Sequence, residues 1–481
     1  MPRSLLVVTI ALGIVLPSIA RGDVDPALPP AAAPATPQAP VPDPKAGHFE
    51  FGSYGRVRVA MDGRGGTGRQ ANVIAHGSRI DEESYAELEL RREDTYQLGG
   101  PDAPEIKSKV VATLALFPPF FHFSGNPMQQ IAVRNLFAQG TYGAYTMWVG
   151  ARMYRGDDIY LLDWWPLDNQ NTVGGGIAYK FPDGDTTIAA HVGMQRLDNL
   201  YQYQQIPVVA PFGFGATNVT VLDRPRIVET IKATHRFRNF RGEKMGFKLS
   251  LYGEAHELAA GTARDTVNNV DKPLPSDSGF LVGTQLGFWT GERDNHVNLF
   301  LRHARGVAAY DPLTVPTTFA NDRTTRGSSE TLIALGANYE KEMVGVLVGA
   351  YLRFFRDGDP SPTSTQKYDE GTVVVRPQVF IGDHWGVALE GSFQARRYAI
   401  LDPSGSGPLT ASLLRAGIIP YFSPAGRGSF KRPQLRIIYS ITARDAGARS
   451  LYATEDVFAQ RTVEHFIGLG AEWWFNSSSY P

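Results

Sequence analysis

The stretch YAELELRREDTY, residues 85–96, alternates charged or aromatic side chains with small or apolar ones. Successive side chains of an extended strand point to opposite faces. One face of this strand is therefore polar and the other apolar. A fold that contains this strand must expose one of its faces to water and place the other face in an apolar environment.

The same alternation returns from Phe49 onward, in segments of about ten to thirteen residues separated by breaks, as expected for tilted membrane-crossing strands. Clear examples are SYGRVRVA, KSKVVATLAL, YTMWVGARMY, GFKLSLYGEA, VGVLVGAYLRF and EHFIGLGAEWWF. With weaker segments near residues 131, 174, 187 and 410, the pattern predicts about eighteen strands.

The breaks between these segments alternate between short and long. The short ones are Gly140 to Gly143, Pro182 to Asp185, Thr290 to Asn295, Lys341 to Met343 and Gly382 to His384. The long ones are 61–83, 156–172, 194–225, 257–278, 308–328, 357–369 and 445–463. This sorting is typical of an all-β, transmembrane, antiparallel up-and-down β-barrel with short periplasmic turns and long extracellular loops. We predict such a barrel over residues 48–475, followed by a tail, 476–481.

The N-terminus predicts export. Residues 1–20 have a basic start, an apolar core from Leu5 to Leu16 and a small-residue cleavage site, as in a signal peptide. A single membrane anchor is the alternative, but the apolar run is shorter than the roughly 20 residues that a spanning helix needs. Residues 21–47 are rich in Pro and Ala and predict a periplasmic spacer. The expected location is the bacterial outer membrane.

Composition excludes several classes of function. The formal charge is −1, which argues against a nucleic-acid partner. The absence of Cys removes disulfides, thiolate metal sites and cysteine nucleophiles. Neither G-x-S-x-G nor H-E-x-x-H occurs, so we do not expect an enzyme. Isolated acidic pairs such as Asp157–Asp158 seldom bind metal, and we expect neither a metal nor a cofactor.

In a barrel, the apolar strand faces would contact outer-membrane lipid and lipopolysaccharide, and the polar faces would line a lumen. In the first strand, Val57 and Val59 would point outward, and Tyr54, Arg56 and Arg58 inward. Charged side chains facing lipid would each cost several kcal/mol, about 2–4 at mid-membrane. Aromatic residues at strand ends would form the interfacial girdles: Tyr145, Trp289, Phe354, Trp385, Trp473 and Phe475.

The stretch WVGARMYRGDDIYLLDWWPLDNQ, from residue 148, has many ionisable and aromatic side chains for a loop. One interpretation is a loop packed on the barrel wall by its own salt bridges. The other is a loop folded into the pore, where charged groups hydrogen-bond sugar hydroxyls and aromatic rings stack on sugar faces. The candidate residues are Arg152, Asp158, Tyr160, Asp163 and Trp165.

Several blocks make the chain resemble the maltoporins, carbohydrate-specific channels of the outer membrane. These blocks are FGSYGRVRVAMDG (51–63), SYAELEL (84–90), RNLFAQG (134–140), MWVGARMYRGDDIYLLDWWPLD (147–168), TVVVRPQVFIGDHWGVALEGSF (372–393) and KRPQLRIIYSIT (431–442). The resemblance implies an 18-stranded homotrimeric porin. In this family, a ladder of aromatic rings guides oligosaccharides past a constriction of ionic residues.

The resemblance also assigns residues. Tyr54, Tyr85 and Trp474 match aromatic positions, and the ionic track is matched by Arg56, Glu87, Arg134, Asp158 and Asp163. Tyr160 replaces a family histidine, Trp165 a tyrosine and Gly156 an arginine. The aromatic residue that a neighbouring subunit supplies from loop two has no direct match, and Phe120, Phe121 or Phe123 are candidates. A late-strand tryptophan aligns near Phe380 and Ile381.

The sequence thus predicts passive, selective diffusion of maltodextrin-like oligosaccharides through the outer membrane, with weak binding at several points. A general, non-specific diffusion porin is the alternative. A barrel-type enzyme is a remoter hypothesis.

Overall fold

An antiparallel sheet of eighteen strands closes on itself, because its first strand pairs with its last. The computed structural model describes residues 45–477 except 98, 100–102, 119–129, 200, 211–214, 239–244, 292–294, 312–313, 315, 317–318 and 365. The predicted signal peptide, the predicted spacer up to residue 44, and Phe120, Phe121 and Phe123 lie outside the described residues, as do the last four residues of the predicted tail.

The described residues contain 22 strands, two short α-helices, α1 (Ala446–Ser450) and α2 (Val457–Gln460), and two 3₁₀ helices, Tyr160–Leu162 and Val307–Ala309. Two strand pairs, β8–β9 and β12–β13, are hairpins within loops, and the other strands form the barrel. None of the helices in this described part is long and apolar enough to cross a membrane. The strands are β1 Lys45–Asp62, β2 Tyr85–Gln97, β3 Glu105–Phe117, β4 Gln130–Tyr142, β5 Tyr145–Arg155, β6 Asn169–Lys180, β7 Thr186–Gln195, β8 Tyr203–Val209, β9 Ala216–Asp223, β10 Arg226–Arg238, β11 Met245–Leu258, β12 Gly261–Asp265, β13 Val270–Leu274, β14 Asp277–Thr290, β15 Asn295–Gly306, β16 Ser329–Lys341, β17 Val344–Arg356, β18 Tyr368–Ile381, β19 Trp385–Leu401, β20 Pro408–Phe422, β21 Gln434–Arg444 and β22 Val463–Phe475.

The connections alternate in length around the barrel, as the sequence predicted. Residues 143–144 join β4 to β5, and residues 342–343 join β16 to β17 on the same, periplasmic side. Two connections depart from the sorting. On the extracellular side, β19 and β20 are joined by only residues 402–407, whereas periplasmic residues 423–433 between β20 and β21 form an unusually long turn.

The two faces of the wall carry the predicted side chains. Val59 is 71% exposed on the outside, whereas Tyr54 on the same strand is 2% exposed. On β22, Leu469 is 63% exposed and Glu472 is 2% exposed. The closed wall thus keeps the charged side chains away from acyl chains and leaves no unpaired strand edge.

The aromatic residues predicted for the interfacial girdles lie partly on the outer surface and partly in the lumen. Four of them are exposed on the outer surface, namely Tyr145, Phe354, Trp385 and Phe475, and Trp473 is half-buried. Trp289 contradicts the prediction. It alternates in step with the buried, inward Gln285 and lines the lumen.

The inner face is polar only in part, which corrects the expectation of a polar face along every strand. Loop 1 (residues 63–84) and loop 3 (residues 156–168) fold into the barrel and pack on inward apolar side chains of β14–β20. This internal core includes Val73, Ile74, Ile159, Leu161, Leu162, Trp164, Leu281, Phe300, Leu332, Leu347, Tyr351, Phe355, Val374 and Leu413. The two loops narrow the passage by filling one side of the barrel.

The lipid-facing wall gives a depth-dependent prediction. Leu469→Arg, in the middle of β22, should destabilise the folded barrel by about 2–4 kcal/mol, because a charge would face acyl chains. Val463→Arg, outward-facing at the end of the same strand, should cost about 0–1 kcal/mol. Denaturant unfolding in lipid vesicles measures both free energies. Equal costs at the two positions would contradict the assigned membrane depth.

Candidate functional site

Loop 3 crosses the lumen because its apolar side chains pack against a part of the opposite wall where glycines leave space for them. Ile159 and Leu161 are each 1% exposed. A Cβ atom added to Gly349 of β17 would lie 3.0 Å from Ile159 Cγ2, and one added to Gly336 of β16 would lie 3.3 Å from Ile159 Cγ1. The missing side chains of these glycines make room for the loop. Its turn ends at Asp163, which has a φ of 46°.

Ion pairs hold both ends of loop 3 to the wall formed by β10 and β11. Lys232 Nζ lies 2.6 Å from Asp168 Oδ2, and Asp168 is only 1% exposed. Lys248 pairs with Asp157 at the other end of the loop. Apolar packing in the middle and ionic contacts at the ends fix the position of the loop.

The lower cavity is a space of about 370 Å³ between loop 3 and the periplasmic connection 423–433. Its wall residues include Trp289 and Trp474, each next to the last residue of its strand, which places the cavity toward the periplasm. Six of the eleven predicted site residues line it: Tyr54, Asp158, Tyr160, Asp163, Trp165 and Trp474.

A row of aromatic rings borders this cavity. The Tyr160 ring centroid lies 6.2 Å from Trp474 and 5.5 Å from Phe430, both edge-on. Phe430 is stacked on His296 at 6.2 Å. The rings give the cavity flat apolar surfaces beside polar groups.

The resemblance aligns a late-strand aromatic position near Phe380 and Ile381, and neither residue lines the two cavities. Phe380 is 2% exposed, in a cluster with Ile80 and Tyr421, and Ile381 is 53% exposed on the outer wall. The lower cavity has a further aromatic ring, that of Phe430. It comes from the long periplasmic connection, which folds into the lumen.

Ionic groups form a network on the other side of the rings. Tyr160 donates a hydrogen bond of 2.8 Å to Glu472 Oε2. Glu472 also accepts hydrogen bonds from Arg79 at 3.0 Å and Arg432 at 2.8 Å. Loop 1, loop 3 and the periplasmic connection thus meet at one carboxylate of β22.

The upper cavity, also about 370 Å³, lies toward the extracellular side and shares Asp163 and Trp165 with the lower cavity. Arg56, Tyr85 and Arg134 line it. Arg56 contacts Asp163 at 3.3 Å, at the boundary between the two cavities. The Tyr85 ring is 6.0 Å from Tyr54 and 5.4 Å from Phe117, so the aromatic surface continues upward.

The two remaining predicted residues have different surroundings. Glu87 is 1% exposed and lies 2.8 Å from Arg134 Nε, so it positions this arginine. Arg152 lies on the inner wall, with its guanidinium carbon 4.7 Å from the Phe137 ring centroid and 5.2 Å from that of Trp148. It is not among the residues that line the two cavities.

Sequence reasoning missed several residues of the lower cavity: Arg79, Lys248, Trp289, His296, Asn298 and Phe430. Strand alternation could have found Trp289, since it lies four residues from Gln285 on the same face. The unusual length of the 423–433 connection was the available signal for Phe430. Nothing local in loop 1 marks Arg79, because its position depends on the folding of that loop into the barrel.

The carboxyl groups of the inward loops are electrostatically perturbed. Asp158 is exposed to the lower cavity inside the barrel; desolvation there and the nearby Asp163 raise its pKa to about 6. Desolvation raises the pKa of Glu82 in loop 1 to about 7, against the opposing effect of Arg79. In the described part of the chain, no group of three or more His, Cys, Asp or Glu side chains is arranged to hold a metal ion.

The closed barrel with inward loops and a lined passage defines a class, the channel-forming porins of the outer membrane. The sequence model of the LamB porin family matches residues 49–475, and the chain belongs to this family. The comparison with curated proteins gave no match.

Solved structures resemble the chain only remotely. The outer membrane channel DcaP of Acinetobacter baumannii is 9% identical, with 91% of this chain and 100% of that chain covered and a TM-score of 0.41. OccD3 (OpdP) of Pseudomonas aeruginosa is 7% identical, with coverages of 89% and 91% and a TM-score of 0.42. OmpT of Vibrio cholerae, in its trimer form, is 12% identical, with coverages of 90% and 100% and a TM-score of 0.36. These low TM-scores bear neither on substrate nor on assembly.

The Lys232–Asp168 pair gives a prediction for loop 3. Lys232→Met would leave Asp168 buried without its cationic partner, at a cost of about 3–5 kcal/mol. The carboxylate would favour solvent, and the end of loop 3 should detach from the wall. We expect a larger and noisier single-channel conductance. The exposed Lys180→Met serves as the control and should leave the conductance unchanged; an equal effect of both variants would contradict the role of the pair.

Asp158 gives a pH prediction. Because its pKa is raised to about 6, Asp158 is charged above and neutral below this pH. Lowering the pH from 7.5 to 5 should therefore shift the ion selectivity of the channel toward anions. Reversal potentials in a salt gradient measure this selectivity. Asp158→Asn should have a smaller pH response, with the remainder from groups such as Glu82; an unchanged response would show that Asp158 does not titrate there.

Proposed function

We propose that the chain is a passive, selective channel for oligosaccharides of the maltodextrin type. The observation that carries this proposal is the row of aromatic rings beside an ionic network in the lower cavity. Aromatic faces stack on the apolar faces of sugar rings, and ionised groups form strong hydrogen bonds with hydroxyls. Release remains fast because desolvation of the sugar and of the side chains leaves only a small net binding free energy at each point of the passage.

The charges that line the passage favour a neutral ligand. The lower cavity is lined by two cationic side chains, Arg79 and Lys248, and by three carboxylates, those of Asp157, Asp158 and Asp163. In the upper cavity the charges are equal in number, with Arg56, Arg134 and Arg155 against Glu82, Glu83 and Asp163. Because the two cavities share Asp163, together they have five cationic side chains and five carboxylates. Such a balanced set attracts neither cations nor anions strongly but offers many hydrogen-bond donors and acceptors. Neutral polyhydroxyl compounds fit this chemistry.

A general diffusion porin is the second candidate function, because the comparisons do not distinguish it from a specific channel. It would pass small solutes by size alone. The two functions differ in saturation, since a specific channel binds its sugar and its ion current is blocked at rising sugar concentration. Liposome swelling with maltodextrins, sucrose and other disaccharides tests which sugars pass.

The aromatic row gives a quantitative prediction. Trp474→Ala removes a ring from the lower cavity and should weaken sugar binding by about 1 kcal/mol. This loss corresponds to a rise of about fivefold in the maltodextrin concentration that gives half-maximal block of the ion current. Titration of single-channel currents with sugar measures it.

The matched control for this experiment is Trp385→Ala. Trp385 is 60% exposed on the outer wall, so its removal should leave the sugar block unchanged. The absence of any saturable block in the wild type would exclude the specific channel in favour of general diffusion. A block that persists unchanged in Trp474→Ala would contradict the role of the aromatic row.

We further propose a homotrimer in contact with outer-membrane lipid and lipopolysaccharide. The resemblance to maltoporins supports the trimer, and the exposed apolar outer wall supports the lipid contact. Cross-linking of the native membrane protein would give three-subunit species if the trimer forms, and monomers alone would contradict it. The proposed function needs no cofactor and no covalent chemistry.

A further inference from the structure

The barrel has a hollow on its outer face, at the extracellular rim, which we name the rim hollow. It has a volume of about 1130 Å³ and opens where β11, β14, β15 and β16 meet the loop of residues 308–328. Sites for small organic ligands typically have about 300–1,000 Å³, so the hollow can hold a sizeable headgroup. Phe280, Arg305 and Ser329, which line it, are in register with one another at outward positions of their strands. The rim hollow is therefore separate from the passage and adjoins the outer leaflet of the membrane.

Three exposed arginines surround Ser329, the first residue of β16. Arg305 of β15 and Arg356 of β17 are in register with Ser329 on its two sides, so their Cα atoms are about 10 Å apart. Arg326 comes three residues before Ser329 in the chain. Arg356 pairs with Asp369 at 2.7 Å. Arg305 and Arg326, by contrast, form no ion pair with any carboxylate of the described residues.

The carboxylates that line the rim hollow leave these two arginines available. Both oxygens of Asp277 accept hydrogen bonds of 2.8 to 2.9 Å from neighbouring protein groups. Asp322 accepts hydrogen bonds within its own loop and, in the described part of the chain, forms no ion pair with Arg326. Glu257 lies on β11, two strands from Arg305 on β15. The negative charges of the hollow are thus held by hydrogen bonds or lie away from β15 and β16, where the two arginines are exposed.

The outer wall on the periplasmic side of the rim hollow is apolar. Phe280 and Val282 of β14, Leu301 of β15 and Ile333 of β16 are 39–51% exposed at outward positions. Such side chains face acyl chains in a membrane barrel. From the membrane outward, this face therefore offers an apolar surface, then guanidinium groups, then a polar hollow.

We propose that the rim hollow binds one lipopolysaccharide molecule of the outer leaflet, through its phosphorylated glycolipid portion, lipid A. A phosphate group lies on Arg305 and Arg326, since guanidinium groups form strong and often bidentate hydrogen bonds with phosphate. Sugar hydroxyls occupy the hollow, where Glu257 accepts hydrogen bonds, and the acyl chains lie on Phe280 and its apolar neighbours. This inference names a site for the lipopolysaccharide contact proposed above and rests on that proposal.

Titration of the full-length channel in detergent with purified lipid A, followed by native mass spectrometry, tests the proposal. The wild type should retain one lipid A per subunit. The affinity should fall about 30-fold in the double variant Arg305→Gln/Arg326→Gln, because two cationic contacts to the phosphate are lost. The matched control is Arg64→Gln/Lys180→Gln, which removes two exposed cations outside the rim hollow and should bind as the wild type does. Equal retention by the wild type and Arg305→Gln/Arg326→Gln overturns the proposal.

Lipid A from which the phosphates have been removed separates phosphate recognition from general adsorption of lipid. The wild type should retain this lipid as weakly as Arg305→Gln/Arg326→Gln retains intact lipid A. Equal affinity of the wild type for the two lipids overturns the proposal, and so does a wild-type channel that retains no lipid A, as expected if a neighbouring subunit covers the hollow. Both titrations are free of maltodextrin, so their failure would leave the proposed transport function untouched.

Discussion

The structure depends on the cost of placing charge or an unpaired backbone group in hydrocarbon. Each charge at mid-membrane costs about 2–4 kcal/mol on a barrel surface, and an open strand edge would expose a whole row of polar groups. Pairing of β1 with β22 removes the edge, and strict alternation directs Tyr54, Arg56 and Glu472 inward. Both the closure of the sheet and the inward placement of these polar side chains follow from this constraint.

A barrel of this size would by itself enclose a wide, unselective channel. Loop 1 and loop 3 change its interior by packing on an apolar inner wall, which the two glycines of β16 and β17 make smooth enough to receive Ile159. The remaining passage is bordered by aromatic rings and by ionic groups on Glu472. The selectivity that we propose therefore arises from the same apolar packing that positions loop 3.

The strands and the faces of their side chains could be predicted from the sequence, because the alternation of polar and apolar residues is a local pattern. The two-residue period of polarity along a strand correctly placed Val59 outward and Tyr54 inward. The many ionisable and aromatic side chains around Tyr160 indicated the loop that enters the lumen. The errors concern long-range contacts. Phe430 reaches the lower cavity only through the inward folding of 423–433, and the apolar inner wall exists only because loops cover it. Trp289 was misassigned because it lies near a strand end, where girdle residues are expected. The face of the strand on which it lies, which points to the lumen, was given too little weight.

The most direct test of the central claim uses the natural absence of cysteine. Single cysteines at Val297, Asn298 and Leu299 of β15 sample outer wall, lumen and outer wall in consecutive residues. A water-soluble thiol reagent that cannot enter lipid should label the cysteine at 298 quickly and those at 297 and 299 slowly, and maltodextrin should slow the labelling at 298. The account predicts a water-filled lumen that binds sugar. It would be contradicted by equal labelling rates at all three positions, or by fast labelling at 297 and 299 only.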